Sequence, residues 1–220
     1  MALQIERLHA RRGNFSLYVE RLEVNSIVAV LGRNGSGKTT LLDAVAGVIK
    51  ATGRVAACGR DVSTLPQERR GLAYIQATPV EPPGRVEKFL RDVAKLHGAE
   101  REVEEVAKSL GVWDLLPRGG GRLSTGQRQL VNLAAALLAK PCAFLMDEPT
   151  SHLDWINKRR FMDLVRGLDR PVLYVTHDPF EAMYISDHIC VMEGGQLKRC
   201  TPNREGGILE AYMLAERLLS

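Results

Sequence analysis

"IVAVLGRNGSGKTTLLDAVAGVI", Ile27 to Ile49, orders the reading of the whole chain. Its first five residues form a continuous apolar run, as a strand buried on both faces requires. The run enters Gly32-x-x-x-x-Gly37-Lys38-Thr39, and apolar residues at helical spacing follow. Glycines at those positions let backbone N–H groups wrap around phosphates, Lys38 reaches the terminal ones, and Thr39 offers a hydroxyl to Mg²⁺. A glycine-rich turn without a ligand is the competing reading. Its place between a buried strand and a helix favours the phosphate loop (P-loop).

Working outward, further buried strands are expected at "LAYI" (72–75), "AFLM" (143–146) and "VLYV" (172–175). "ICVM", Glu193, Gly194, Gly195 and "QLKR" read as a closing hairpin. Alternating strand and helix patterns define an α/β chain. The first sixty residues alternate more strongly and predict a small antiparallel sheet beside the core. Between "PVEPPG" and "PRGGG", "RVEKFLRDVAKLHG" and "EREVEEVAKSLG" each show helical spacing that ends at a glycine. The expected fold is a P-loop nucleoside-triphosphatase core with a small antiparallel β subdomain and an inserted helical lobe. As one domain, its core takes residues 1–76 and 123–220 and its lobe 77–122. "GGILEAYMLAERLLS" predicts an amphipathic C-terminal helix.

Apolar residues make up 45% and charged residues 25% of the 220, the balance of an ordinary globular chain. No apolar run reaches the roughly 18 residues of a membrane span. "MALQIERLHARRG" carries charges where a signal peptide has its apolar region. The net charge of +4 comes from scattered basic residues, and the densest run, "NKRR" (157–160), is expected on an exposed helix face, which argues against nucleic acid. Cys58, Cys142, Cys190 and Cys200 lack metal-ligand spacing and are expected as free thiols of the cytosol. Cys190 and Cys200 flank the hairpin and could face each other.

Two more stretches carry chemistry. "FLMDEP" delivers Asp147 at the carboxyl end of a strand, where α/β proteins bind ligands. Asp147 would hold Mg²⁺ through water, and Glu148 would orient or deprotonate an attacking water. "RLSTGQRQL" (122–130) reads as a helix start whose unpaired N–H groups and positive dipole end suit an anion. One chain thus carries two helix ends fit for phosphate.

In order along the chain, the P-loop, Gln76 after a strand, "LSTGQ", "FLMDEPTSHLD" and "YVTHD" resemble the ATP-binding cassette of ABC proteins. "LSTGQ" is the most diagnostic, because other P-loop ATPases lack that signature. The resemblance implies ATP and Mg²⁺ as ligands. It places Gly32, Asn34, Gly35, Ser36, Gly37, Lys38, Thr39 and Thr40 on the nucleotide, and Thr39, Gln76 and Asp147 around the metal. Glu148, His177, Gln76 and Lys38 take the catalytic roles: His177 on the γ-phosphate, Gln76 sensing metal and water. Two cassettes then pack head to tail, so Ser124, Gly126 and Gln127 serve the other subunit's nucleotide and Asp154 touches the partner. That explains the second helix end.

The chain departs from the family pattern in places. Where a base-stacking aromatic is usual, "HARRGNF" puts Arg12, which could stack through its guanidinium, or Phe15 could substitute. Thr125 replaces the usual glycine of the signature.

The resemblance implies the energy-coupling subunit of an ABC transporter, an importer by the likeness of "THDPFEAMYISDHICVMEGGQLKRCTP" to importer cassettes. Its partners are a second cassette (its own copy or a relative), separate transmembrane subunits and an external substrate-binding protein. It is expected on the cytoplasmic face of the membrane. The alternative is a soluble ABC ATPase acting on ribosomes or nucleic acid, since "EPTSHLD" is similar to the "NHLD" wording of translation-associated members.

Overall fold

A computed structural model describes residues 2–203, so the expected C-terminal helix lies outside the described residues. In chain order the elements are β1 (Leu3–Arg12), β2 (Phe15–Val24), β3 (Ile27–Leu31), α1 (Lys38–Ala46), β4 (Ala51–Ala57), β5 (Arg60–Asp61) and β6 (Leu72–Ile75). Then follow α2 (Val86–Leu96), α3 (Val103–Ser109), α4 (Thr125–Leu138), β7 (Ala143–Asp147), α5 (Trp155–Arg166), β8 (Val172–Thr176), α6 (Pro179–Ile185), β9 (His188–Glu193) and β10 (Gln196–Pro202). The chain divides into two compact units.

The first unit takes the described residues of 2–74, 142–148 and 165–203. The sheet runs in the order β5-β4-β1-β2-β10-β9-β3-β8-β7-β6. β3 lies between β8 and β9, parallel to both, and β7 is parallel to β8. All five β3 residues are buried because both faces are covered. Val28 and Val30 pack in one cluster with Leu41, Leu42 and Val45 of α1, while Ala29 and Leu31 pack with Ala182 of α6. The continuous apolar run is the signature of that two-sided cover.

β1 and β2 alternate between buried and exposed positions and pair antiparallel, from Leu3 opposite Val24 to Arg12 opposite Phe15. These antiparallel strands, expected beside the core, instead continue its sheet through β10. The junction is narrow: Gln196 is the β10 residue in register with β2, opposite Tyr18, whose N–H donates to the Gly195 carbonyl at 2.8 Å.

The four cysteines, expected as free thiols, are paired. Cys58 in the β4–β5 turn joins Cys142, and Cys190 joins Cys200 directly opposite it on β9 and β10. The first pair spans 84 residues, a proximity created by strand order and invisible in spacing. Cys142 also donates its N–H to the Gly71 carbonyl at 2.7 Å.

The second unit takes residues 75–141 and 149–164, more than the 77–122 assigned from the glycine and proline breakers. The reason is packing. α4 lies against α2 and α3. Val86, Leu90 and Ala94 of α2 and Val103 and Ala107 of α3 recur at helical spacing and are buried.

Candidate nucleotide site

β3 ends at Leu31 and the chain turns through residues 32–37 into α1, whose first residue is Lys38. Gly37 caps that helix at φ 108°, and a Cβ there would meet Phe15 Cζ at 2.8 Å. Glycine is needed on both counts. The α1 N-terminus has no side-chain cap and no acidic residue in its first turn, and its first residues line a cavity. That cavity, of about 310 Å³, is lined by Arg12, Phe15, Asn34, Gly35, Gly37, Lys38, Thr39, Thr40 and Glu148. Ser36 Oγ is buried without a hydrogen-bond partner, an orphan that a phosphate oxygen would satisfy.

Lys38, only 5% exposed, donates from Nζ to the Gly32 and Arg33 carbonyls at 2.8 and 3.1 Å. The same nitrogen lies 3.3 Å from Glu148 Oε1. His177, just beyond β8, sets Nδ1 2.9 Å from the other carboxylate oxygen. Tyr174 and Thr176 both donate to Glu181 of α6, which fixes the end of β8 ahead of His177. Glu148 itself adopts φ 43°, and its N–H donates to the Val175 carbonyl at 3.0 Å. A non-glycine residue in that region is held by its surroundings, as at many reactive positions.

Thr39, in the first turn of α1, interacts with Asp147. Burial pushes its carboxyl above the usual range, the Glu148 and Asp43 charges push the same way, and Thr39 and Lys38 oppose them. A buried acidic cluster of this kind suits a hard divalent cation that also takes phosphate oxygens. Among the described residues no group of three His, Cys, Asp or Glu is arranged to hold a metal alone. Thr39 and Asp147 are the side chains that would share Mg²⁺ with the nucleotide.

Arg12 lines the cavity, yet its guanidinium donates to Asp43 Oδ2 at 3.0 Å. Asp43 and Tyr74 were not foreseen as part of this site. Asp43 is one helical turn past Thr39, a spacing that could have signalled it.

The remaining candidates belong to the second unit. Ser124 caps α4: its Oγ accepts from Gln127 N–H at 3.3 Å, and Gln127 Oε1 accepts from Ser124 N–H at 3.1 Å. This reciprocal capping box leaves the helix end well formed. Gly126 is buried, and a Cβ there would stand 3.2 Å from Asn157 Cγ. Asn157 in turn donates to both oxygens of Asp154, at 2.9 and 2.7 Å, and these bonds hold that carboxyl below the usual range. Asn157 thus ties Asp154 to the signature glycine, a link that sequence reading missed. The backbone carbonyl of Gln76 accepts from Gln129 Nε2 at 3.1 Å, and the same nitrogen reaches the Pro149 carbonyl at 2.8 Å.

Among the described residues no helix is long and apolar enough to cross a membrane.

A buried strand, a phosphate loop at a helix N-terminus and an acidic pair at the carboxyl end of β7, two strands from β3, define a P-loop nucleotide-binding protein. Residues 14–151 match the ABC transporter family. The chain is 35% identical, over 97% of its length and 95% of the relative's, to the molybdate/tungstate import ATP-binding protein WtpC of Archaeoglobus fulgidus. It is 35% identical over 89% of its length to the molybdenum import ATP-binding protein ModC of Paramagnetospirillum magneticum, but spans only 58% of that protein. Likewise it spans 49% of the Agrobacterium fabrum sn-glycerol-3-phosphate import ATP-binding protein UgpC 2. A solved structure of a nucleotide-free ATP-binding cassette from an ABC transporter superimposes with a TM-score of 0.84 at 22% identity, covering 100% of this chain and 98% of that one. The chain belongs to the ABC transporter family, as one of its ATP-binding, ATP-hydrolysing subunits.

Proposed function

We propose that this chain powers an importer of a small oxyanion, of the molybdate or tungstate kind, by ATP-driven head-to-tail dimerisation. The observation that carries the ATPase part is the Glu148 carboxylate held between Lys38 and His177 at the mouth of the phosphate loop. The importer and oxyanion part is supported by the names of the relatives.

In this reading the α1 N–H groups and Lys38 bind the β- and γ-phosphates, and Thr39 and Asp147 hold Mg²⁺. The metal supplies charge neutralisation of the phosphates when bound. Glu148 takes the proton of the attacking water, and His177 steadies Glu148 and the γ-phosphate. Gln76 reports on metal and water. Ser124, Gly126 and Gln127 cover the nucleotide of a second copy, with Asp154 at the contact. ATP then joins the dimer and hydrolysis loosens it, a population shift that separate transmembrane subunits convert into movement of cargo. An external binding protein delivers that cargo, and the chain works at the cytoplasmic face.

The test is reconstitution with the membrane subunits that co-purify with the Glu148→Gln chain in ATP and Mg²⁺. ATPase stimulation by a binding protein loaded with molybdate or tungstate is expected. Co-purification of ribosomes or nucleic acid instead of a multi-span membrane protein would refute the transport reading.

A further inference from the structure

Asp43 is a carboxylate in the core of the first unit, 4% exposed, with both oxygens committed. Oδ2 accepts from Arg12 Nη1 at 3.0 Å and Oδ1 accepts from the Tyr74 hydroxyl at 3.0 Å. The Tyr74 hydroxyl has one proton, which it donates to Asp43, while burial and then the Asp147 and Asp43 charges push the phenol above its ordinary range. One run of side chains, Arg12–Asp43–Tyr74, therefore joins the end of β1 to β6, the strand beside β7 and its Asp147. Glu148 lines the cavity and Asp147 precedes it in the chain, so the Asp43 charge adds to carboxylates already at a place that must accept triphosphate.

From this we infer that Arg12 serves the nucleotide through Asp43, as the counter-ion of a buried carboxylate, and not by stacking on the base. Arg12 and Asp43 are positioning residues, and Tyr74 donates to the Asp43 oxygen that Arg12 leaves open. Removing one partner of such a pair leaves an uncompensated buried charge, whereas removing both does not. The stranded Asp43 charge would act against phosphate, so its effect must grow with phosphate charge. Loss of a base-stacking group would weaken ADP and ATP alike.

The inference rests on the ATP-site reading, and the test separates the two. ATP and ADP affinities are measured by calorimetry, with thermal melting of the nucleotide-free chain, for wild type, Arg12→Gln, Asp43→Asn and the double variant. Arg12→Gln is expected to weaken ATP on the order of tenfold, with a smaller loss for ADP and a defect that shrinks with added salt. Adding Asp43→Asn should bring ATP affinity back to within about threefold of wild type. A double variant as weak as Arg12→Gln, or equal losses for ATP and ADP, overturns the inference and gives Arg12 a direct contact with nucleotide. If Arg12→Gln does not fold, recovery of a folded, ATP-binding chain on adding Asp43→Asn supports the inference, and a double variant that stays unfolded overturns it. A wild-type chain that binds no ATP removes the site reading itself.

Discussion

Lys38 Nζ stands 3.3 Å from Glu148 Oε1, so the phosphate-loop cation and the carboxylate read as general base share one ion pair. The pair is asymmetric, with Lys38 nearly buried and Glu148 partly open to solvent. In the proposed mechanism the two groups have opposite tasks toward ATP, since one attracts the terminal phosphate and the other faces the attacking water.

Glu148→Gln removes the proposed base and its charge while keeping the shape. Phosphate release is expected to fall by about 10²–10⁴-fold, with ATP binding retained. The variant should accumulate as an ATP-dependent dimer in gel filtration with light scattering. Turnover at the wild-type rate would remove Glu148 from the chemistry.

Lys38→Ala is expected to lose ATP affinity, because Lys38 is the cation proposed to reach the terminal phosphates. Ser124→Arg breaks the α4 cap, at a cost of about 1 kcal/mol in helix stability, and blocks the signature end. Each variant alone should be inactive. Mixed together, they form heterodimers in which one composite site is intact, and ATPase activity should return. A mixture as inactive as its components would contradict head-to-tail packing with independent sites.

Asp147 gives a pH and metal dependence of definite sign. Its folded-state pKa is raised, chiefly by burial, above the ordinary value of 3.8. The folded state therefore holds that proton more tightly than the unfolded chain does. The associated stability is present below about pH 4 and is lost as pH rises through the folded value. At neutral pH with chelator, Asp147→Asn should melt higher than wild type. Stabilisation by Mg²⁺ with ATP should be lost in the variant. A lower melting point in chelator would show that the Thr39 contact outweighs the burial of charge.

The Cys58–Cys142 bridge closes a long loop, 84 residues apart in sequence. In chain-entropy terms a bridge over such a loop contributes about 4–5 kcal/mol. Reductant should lower the melting temperature by on the order of 10 °C. A Cys58→Ser, Cys142→Ser chain should melt low from the start and lose that share of the reductant response. Identical melting in both chains would show that the bridge adds nothing to stability.

Local patterns were the legible ones. β3, its glycine turn and α1 could be read because a two-sided strand, a phosphate loop and a helix each mark neighbouring residues. Even there the helix was read too far. It ends at Ala46 because Gly47 takes φ 82°, and Val48 and Ile49 then donate back to the Asp43 carbonyl. The capping box of α4 was equally local, spelled out in Ser124 and Gln127. What escaped was every relation made by strand order. Arg12 and Asp43 are 31 residues apart, as are Asp43 and Tyr74, and no periodicity links them. α4 was placed with the core because an apolar helix face does not declare which neighbours will cover it.

The joint between β2 and β10 gives the sheet an unequal seam. On one side stands the hairpin whose turn is flanked by Arg12 and Phe15, on the other the strand that feeds the phosphate loop, and Gln196 opposite Tyr18 is the register pair between them. Few backbone bonds cross that seam, and a shared core of Leu17 and Val19 with Val28 and Val30 holds the rest of the joint. A ligand that rests one end on the hairpin and the other on the loop works as a clasp over that seam. Slowed amide exchange at Tyr18 on adding nucleotide, with β3 unchanged, would be the mark of the clasp closing.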